Sequence, residues 1–291
     1  MSLMNPIIAI FDYTLRPVAP FTWFGLPITT LDVVAAFRLC LILRQMKEVL
    51  HREHVSRAGH SLVEDRSFAR SALATLTVVF RGEVMTSPLL GVPCSFMVSG
   101  TTTLFYTLVQ AIVDALPVVP APAFEMELPL SIVDGFTRAF LLCDLIPPVV
   151  TANASSNISN SSWTLLVTSL VAANGGFFLT NLFSFIHPTP LMLQTPPELL
   201  PYGWTTADLW CAPAITGLYA LLTHVQPFWA EAHTFIVDLL NGGIVSGKAV
   251  EPVDNDTARA VCAVLLAGLF AGRTVKNFRH LWQPQLKVKT Q

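Results

Sequence analysis

The chain has 291 residues, of which 53% are hydrophobic and only 12% charged, with a formal net charge of −2. Soluble domains carry roughly 25% charged residues, so the composition argues against a water-soluble globule and for a polytopic α-helical membrane protein. The near-neutral balance implies no nucleic-acid partner, and long unbroken apolar runs, in place of alternating segments of about ten residues, argue against a β-barrel.

Residues 1–27 read as a luminal or interfacial lead-in. Their apolar run at 3–24 is broken by Asp12, Arg16, Pro17 and Pro20, which predicts a re-entrant segment, with a full eighth span as the competing count. No basic stretch precedes the run, so no cleavable leader is expected. Seven stretches are long enough to cross a bilayer: 28–50, 68–90, 98–118, 129–152, 162–187, 207–226 and 257–277. The first continues as an exposed helix into a cytosolic loop at 51–67. The connectors "PVVPAPAF" and "HPTPLMLQTPPELLPYG" are Pro-rich and stiff, and the last span leads into a tail at 278–291.

Basic residues set the orientation. Lys47, Arg52, Arg57, Arg66 and Arg70 cluster after the first span, and Arg273, Lys276, Arg279, Lys287 and Lys289 mark the end of the last. Both clusters are expected in the cytosol, which an even number of intervening spans permits. The N-terminus is then luminal and the C-terminus cytosolic. Sequons starting at Asn153, Asn157, Asn160 and Asn255 fall in loops on the luminal side, in agreement with the charge rule.

The second span overlays the fifth. In "LATLTVVFRGEVMTSPLL" and "LVTSLVAANGGFFLTNLF", Gly82 falls on Gly176, Thr86 on Thr180, Ser87 on Asn181 and Leu76 on Leu170, giving the shared pattern G-x-x-x-T-S/N. The two copies run in opposite directions through the membrane. The fold class expected is therefore all-α, with seven transmembrane helices arranged as two inverted three-helix repeats, 28–118 and 129–226, plus a final helix at 257–277. Gly-interrupted spans in matching positions of inverted repeats point to a permeation site at mid-depth. Gly82, Asn174, Gly175 and Gly176 are expected to mark kinks, and Thr86, Ser87, Thr180 and Asn181 to supply oxygens for a hard cation. The competing reading is that the glycines let two helices pack closely.

The stretch "QMKEVLHR", 45–52, ends the first span and, with the Gly-broken span that follows, resembles the trimeric intracellular cation channel family, whose members carry a Lys-Glu-Val motif at the cytosolic end of a central helix. Here it is Lys47, Glu48 and Val49; "NGGFFLTNLF", 174–183, is similar to the kinked helix of the family's other repeat. The halves stand in exchanged order, and His51 occupies the place of a family Arg, with Arg52 adjacent. The resemblance implies a homotrimer in an endoplasmic-reticulum-type membrane. It implies potassium as the permeant ion, counter-ion current during calcium release and uptake, and a phosphoinositide lipid held at Lys47 and Arg52. No covalent cofactor is expected.

Among ionisable groups inside spans, Glu83 beside Gly82 is the best single candidate for a cation contact, with Arg81 offsetting it if the two face each other. Asp134 and Arg138 share a helix face and are expected to pair, while Arg38 or Arg81 has Glu83, Asp114 and Asp144 as partners across helices. Cys40, Cys94, Cys143, Cys211 and Cys262 show no metal or disulfide spacing and read as packing residues. His51 and His54 read as a solvated face, and no metal site is expected. No catalytic motif is present, so the chain is not expected to be an enzyme. A secondary transporter, a seven-helix receptor and a non-conducting membrane scaffold are the alternatives to a channel.

Overall fold

The computed structural model describes residues 4–18, 28–59, 67–188, 192–196, 207–241 and 250–279. Most of the 188–206 connector, Pro20, Arg66, and Lys287 and Lys289 of the tail lie outside the described residues. The described chain is all-helical. In order, the helices are α1 (Asn5–Thr14), α2 (Thr30–Ala58), α3 (Phe68–Leu90), α4 (Ser95–Val98), α5 (Thr101–Ala115), α6 (Phe124–Phe140) and α7 (Ile146–Thr151), followed by α8 (Ser156–Ser159), α9 (Ser162–Leu182), α10 (Ala207–Thr223), α11 (Pro227–Leu240) and α12 (Asn255–Asn277).

Local chemistry sets the boundaries. A reciprocal cap opens α2: the Asp32 amide donates to the Thr29 hydroxyl oxygen and the Thr29 amide donates to the Asp32 carboxylate. Ser161 opens α9 and Asp254 opens α12, each accepting the amide three residues on. Gly59 and Gly91 close α2 and α3 in the left-handed region, where glycine has no Cβ to clash. α6 and α7 form one continuous rod, joined by a π-helical turn at Leu141–Leu145. Pro147 and Pro148 follow immediately; a proline lacks an N–H and crowds the carbonyl four residues back, which widens the preceding turn.

Helix α1 is 10 residues long, short of the roughly 20 that cross a bilayer, and residues 19–24 of the 3–24 run lie outside the described residues. α2 runs on to Ala58 as the exposed extension expected from sequence. α11 occupies what reads as a loop at 227–256, and the one-turn helices α4 and α8 fall in the short connectors before the third and fifth predicted spans. Among the described residues one helix, Asn255–Asn277, is long and apolar enough on its own to cross a membrane. α5, at 15 residues, and α6, at 17, are short, and α2 and α3 carry charges along their lengths.

The core is divided unequally. A large apolar cluster joins α1, α6, α7, α9, α10 and α12 through Phe11, Leu142, Leu165, Ile215, Leu266 and Phe270. A much smaller one, Ala36, Cys40, Val109 and Val113, lies between α2 and α5. α3 is the bridge, packing on α5 and α2 on one side and on α9 on the other. All five cysteines are buried and unbridged.

The α3–α9 crossing is a glycine contact. A Cβ on Gly82 would strike the Ala172 backbone, its Cα at 2.7 Å, and a Cβ on Gly176 would strike the Val78 carbonyl. The register that lays Gly82 on Gly176 also lays Val78 on Ala172, so the two contacts are images of one another about a local two-fold axis. We predict that Gly82→Ala and Gly176→Ala each lower the melting temperature of the detergent-solubilised protein, at a cost of about 1–3 kcal/mol from overpacking. Gly268→Ala and Gly272→Ala, where the new methyl meets open space, should leave it unchanged or raise it.

Candidate functional site

The nine residues expected at mid-membrane separate into three groups. Gly82, Gly175 and Gly176 come together: a Cβ on Gly175 would lie 3.6 Å from the Gly82 Cα. α3 and α9 are helical through all three glycines, so the glycines break neither helix. The physical reason is that small side chains here buy proximity to the facing backbone, and a packed helix keeps its own hydrogen bonds.

Thr86 and Thr180 form the second group. Each is buried, and each hydroxyl donates to the carbonyl of the glycine four residues back, Thr86 to Gly82 at 3.0 Å and Thr180 to Gly176 at 2.7 Å. The bond repeats in both halves. It uses the hydroxyl hydrogen and leaves the oxygen lone pairs unspent by that bond. Ser87 is also buried.

The remaining residues point elsewhere. The Asn174 amide donates to its own helix at Leu170, 3.0 Å, and to Leu209 of α10, 3.4 Å, so it fastens α9 to α10. Asn181 is half-buried and its carbonyl accepts from Ser184 at the helix exit. Glu83 is turned away from the crossing: its carboxylate accepts from the Ser95 amide and, at 2.7 Å, from the Ser95 hydroxyl, holding the start of α4. Arg81 does not meet Glu83. Its guanidinium carbon lies 5.2 Å and 5.3 Å from the ring centres of Phe183 and Phe185, where the ring faces attract a cation.

The charged pairs are re-sorted in the same way. Asp134 is bound to Arg38 across α2 and α6 at 2.7 Å, not to Arg138 along its own helix. Arg138 instead lies over Phe270, on the opposite side from Arg273 in sequence but against the same ring. Asp144, placed by the π turn, receives Arg259 of α12, whose other nitrogen holds Asp256 at 2.7 Å. The same guanidinium covers the Phe11 ring at 4.7 Å and so pins α1 to α12. Arg259 is missed by sequence reasoning, although an arginine in the first turns of an otherwise apolar helix was its signal. Gln110 is missed likewise: it accepts from Thr75 at 2.6 Å and donates to Asp114 at 2.9 Å, a buried relay between α3 and α5.

Lys47 and Arg52 line one cleft of about 520 Å³ with Arg44, Glu48, His51, Asp114 and the Pro117–Pro122 segment. The Lys47 ammonium donates to Ser71 of α3 at 3.1 Å, and Arg52 donates back to the Glu48 carbonyl at 3.2 Å. Arg44 is buried, donating to Glu48 at 2.9 Å and to the Val113 carbonyl. Arg70 closes the other side of this corner by donating to the Phe185 and His187 carbonyls at the exit of α9. His54 is not a bare solvated face, since its ring meets that of His187 edge-on at 5.9 Å.

No family model, curated protein or solved structure matches the chain.

The Arg38–Asp134 pair is the most exposed to disruption, because both side chains are largely buried, at 15% and 13% exposure. Asp134→Asn is expected to cost about 3–5 kcal/mol by stranding the guanidinium, and the double change Arg38→Met with Asp134→Leu to recover much of it. Thermal unfolding of the wild type and the two variants under one set of conditions checks this.

Proposed function

We propose that the chain is a polytopic membrane protein that conducts monovalent cations, potassium foremost, across an intracellular membrane. Its seven spans in this reading are α2, α3, α5, the α6–α7 rod, α9, α10 and α12. The observation that carries the reading is the reciprocal α3–α9 crossing, in which a glycine contact and a glycine-bonded threonine recur on both helices. Inverted repeats that meet in this way at mid-depth are the usual setting of a membrane pathway.

Two further features support it. Outward faces are apolar: Leu104, Leu108 and Ile112 make an exposed stripe on α5, and Leu73 and Leu89 are exposed on α3, a surface suited to lipid or to a second subunit. The ionisable groups on the same helices are turned inward to partners, as hydrocarbon surroundings require. In the arrangement described, the crossing is closed by backbone contact. Conduction then needs α3 and α9 to separate, which brings the Thr86 and Thr180 oxygens to the path as cation ligands. The trimer, the endoplasmic-reticulum membrane and a phosphoinositide at Lys47 and Arg52 belong to the same proposal.

The test is single-channel recording of the purified protein in a planar bilayer under a potassium chloride gradient. Discrete openings reversing near the potassium potential are expected. Thr86→Val and Thr180→Val, which keep shape and lose the oxygen, should reduce unitary current while costing only about 1 kcal/mol of stability each. Flux into proteoliposomes without unitary currents would make the chain a carrier; folded protein silent in both assays would leave a scaffold.

A further inference from the structure

We propose that His224 and His233 form a two-histidine site for a divalent transition-metal ion, zinc foremost, that ties α10 to α11. The His224 Nε2 and His233 Nδ1 atoms lie 2.9 Å apart, with ring centres 5.1 Å apart and ring planes at 78°. Two nitrogens on one tetrahedral zinc, at bond lengths of about 2.0–2.1 Å, stand about 3.3 Å from each other. An ion therefore enters between these rings by a separation of a few tenths of an ångström. The exchange is balanced: the ring that now donates moves its N–H to its other nitrogen, and both facing nitrogens meet the ion as neutral acceptors.

The rings are carried on braced backbone. His224 follows the last residue of α10 with φ +56°, in the left-handed region, and Val225 donates to Ala220 across the turn. Glycine is the ordinary residue at this place in a helix end. A histidine there accepts backbone strain, and its ring is what the chain gains. Beyond it, Gln226 donates to the Ser159 and Ser161 carbonyls at 2.7 Å and 3.2 Å and accepts the Trp229 indole N–H at 3.1 Å. The Trp229 ring in turn packs on Gly217 of α10. Both ligands are thus held by neighbours that do not depend on the metal, as a pre-organised site requires.

Among the described residues no cluster of three or more His, Cys, Asp or Glu could hold a metal, so water completes the coordination and the site stays open to exchange. Paired imidazoles select zinc or copper over calcium and magnesium, which prefer oxygen. Burial, with His224 alongside, holds the His233 imidazole below the ordinary histidine value, so it is neutral and ready for metal near pH 7. Protons compete for the same nitrogens as the pH falls, and binding fades with them.

The experiment titrates zinc chloride into the tag-free, full-length protein in detergent near neutral pH, against a colorimetric zinc indicator. Wild type and the control His54→Gln should hold one equivalent that His224→Gly and His233→Gln lose, or bind at least tenfold more weakly. His224→Gly removes the ring while relieving the left-handed strain, so its melting temperature should not fall, and lost binding then reports the ligand. Wild type that takes up no more zinc than His224→Gly, or variants that keep the wild-type affinity, would overturn the proposal.

Discussion

The two halves of this fold meet most extensively where α3 and α9 touch backbone to backbone. Gly82 and Gly176 have no side chains there, and each accepts the facing main chain at a distance that no other residue permits. Because the contact is reciprocal, a substitution on one helix has a counterpart on the other. The adjacent threonines add a second repeated element, a hydroxyl tied to the glycine carbonyl. In the membrane setting proposed above, no hydrophobic force favours association between apolar helices, so close dispersion contact and a few hydrogen bonds have to provide it.

The buried charges supply what dispersion does not, namely specificity of partner. Arg38 finds Asp134 and Arg259 finds Asp144, each across a boundary between sequence-distant helices, while Asp256 holds Arg259 from within α12. Such pairs contribute little net stability once desolvation is counted, but a mispaired arrangement would leave a charge stranded. The π turn before Pro147 belongs to this scheme, since it lies where Asp144 must reach α12. The aromatic faces that cover Arg81, Arg138 and Arg259 serve cations that carboxylates do not fully surround.

Much of the helical frame was legible in the sequence, because apolar runs are local signals. The Gly82–Gly176 register was legible too, since two copies of one pattern carry their own alignment. What glycine does there was not, because kinking and close packing leave the same residue in the sequence and differ only in what faces it. Glu83 was misjudged for a similar reason: proximity to Gly82 along the chain says nothing of the turn of helix that points its carboxylate to Ser95. The Arg38–Asp134 pairing and the His224–His233 contact depend on how helices are placed in space, and α11 escaped notice because its apolar run is too short to span.

The unequal division of the core bears on how the molecule is made. α2, α3 and α5 leave the ribosome before α6 and α9, yet between them they bury only Ala36, Cys40, Val109 and Val113 as a cluster. The groove at Gly82 stays open, and Arg38 lacks its carboxylate, until α6 and α9 have been synthesised. The first half is thus an incomplete body that waits for its partners, with long-range contacts formed late and apolar surface uncovered in the interval. The amino-terminal half is therefore where quality control would intercept a defective chain.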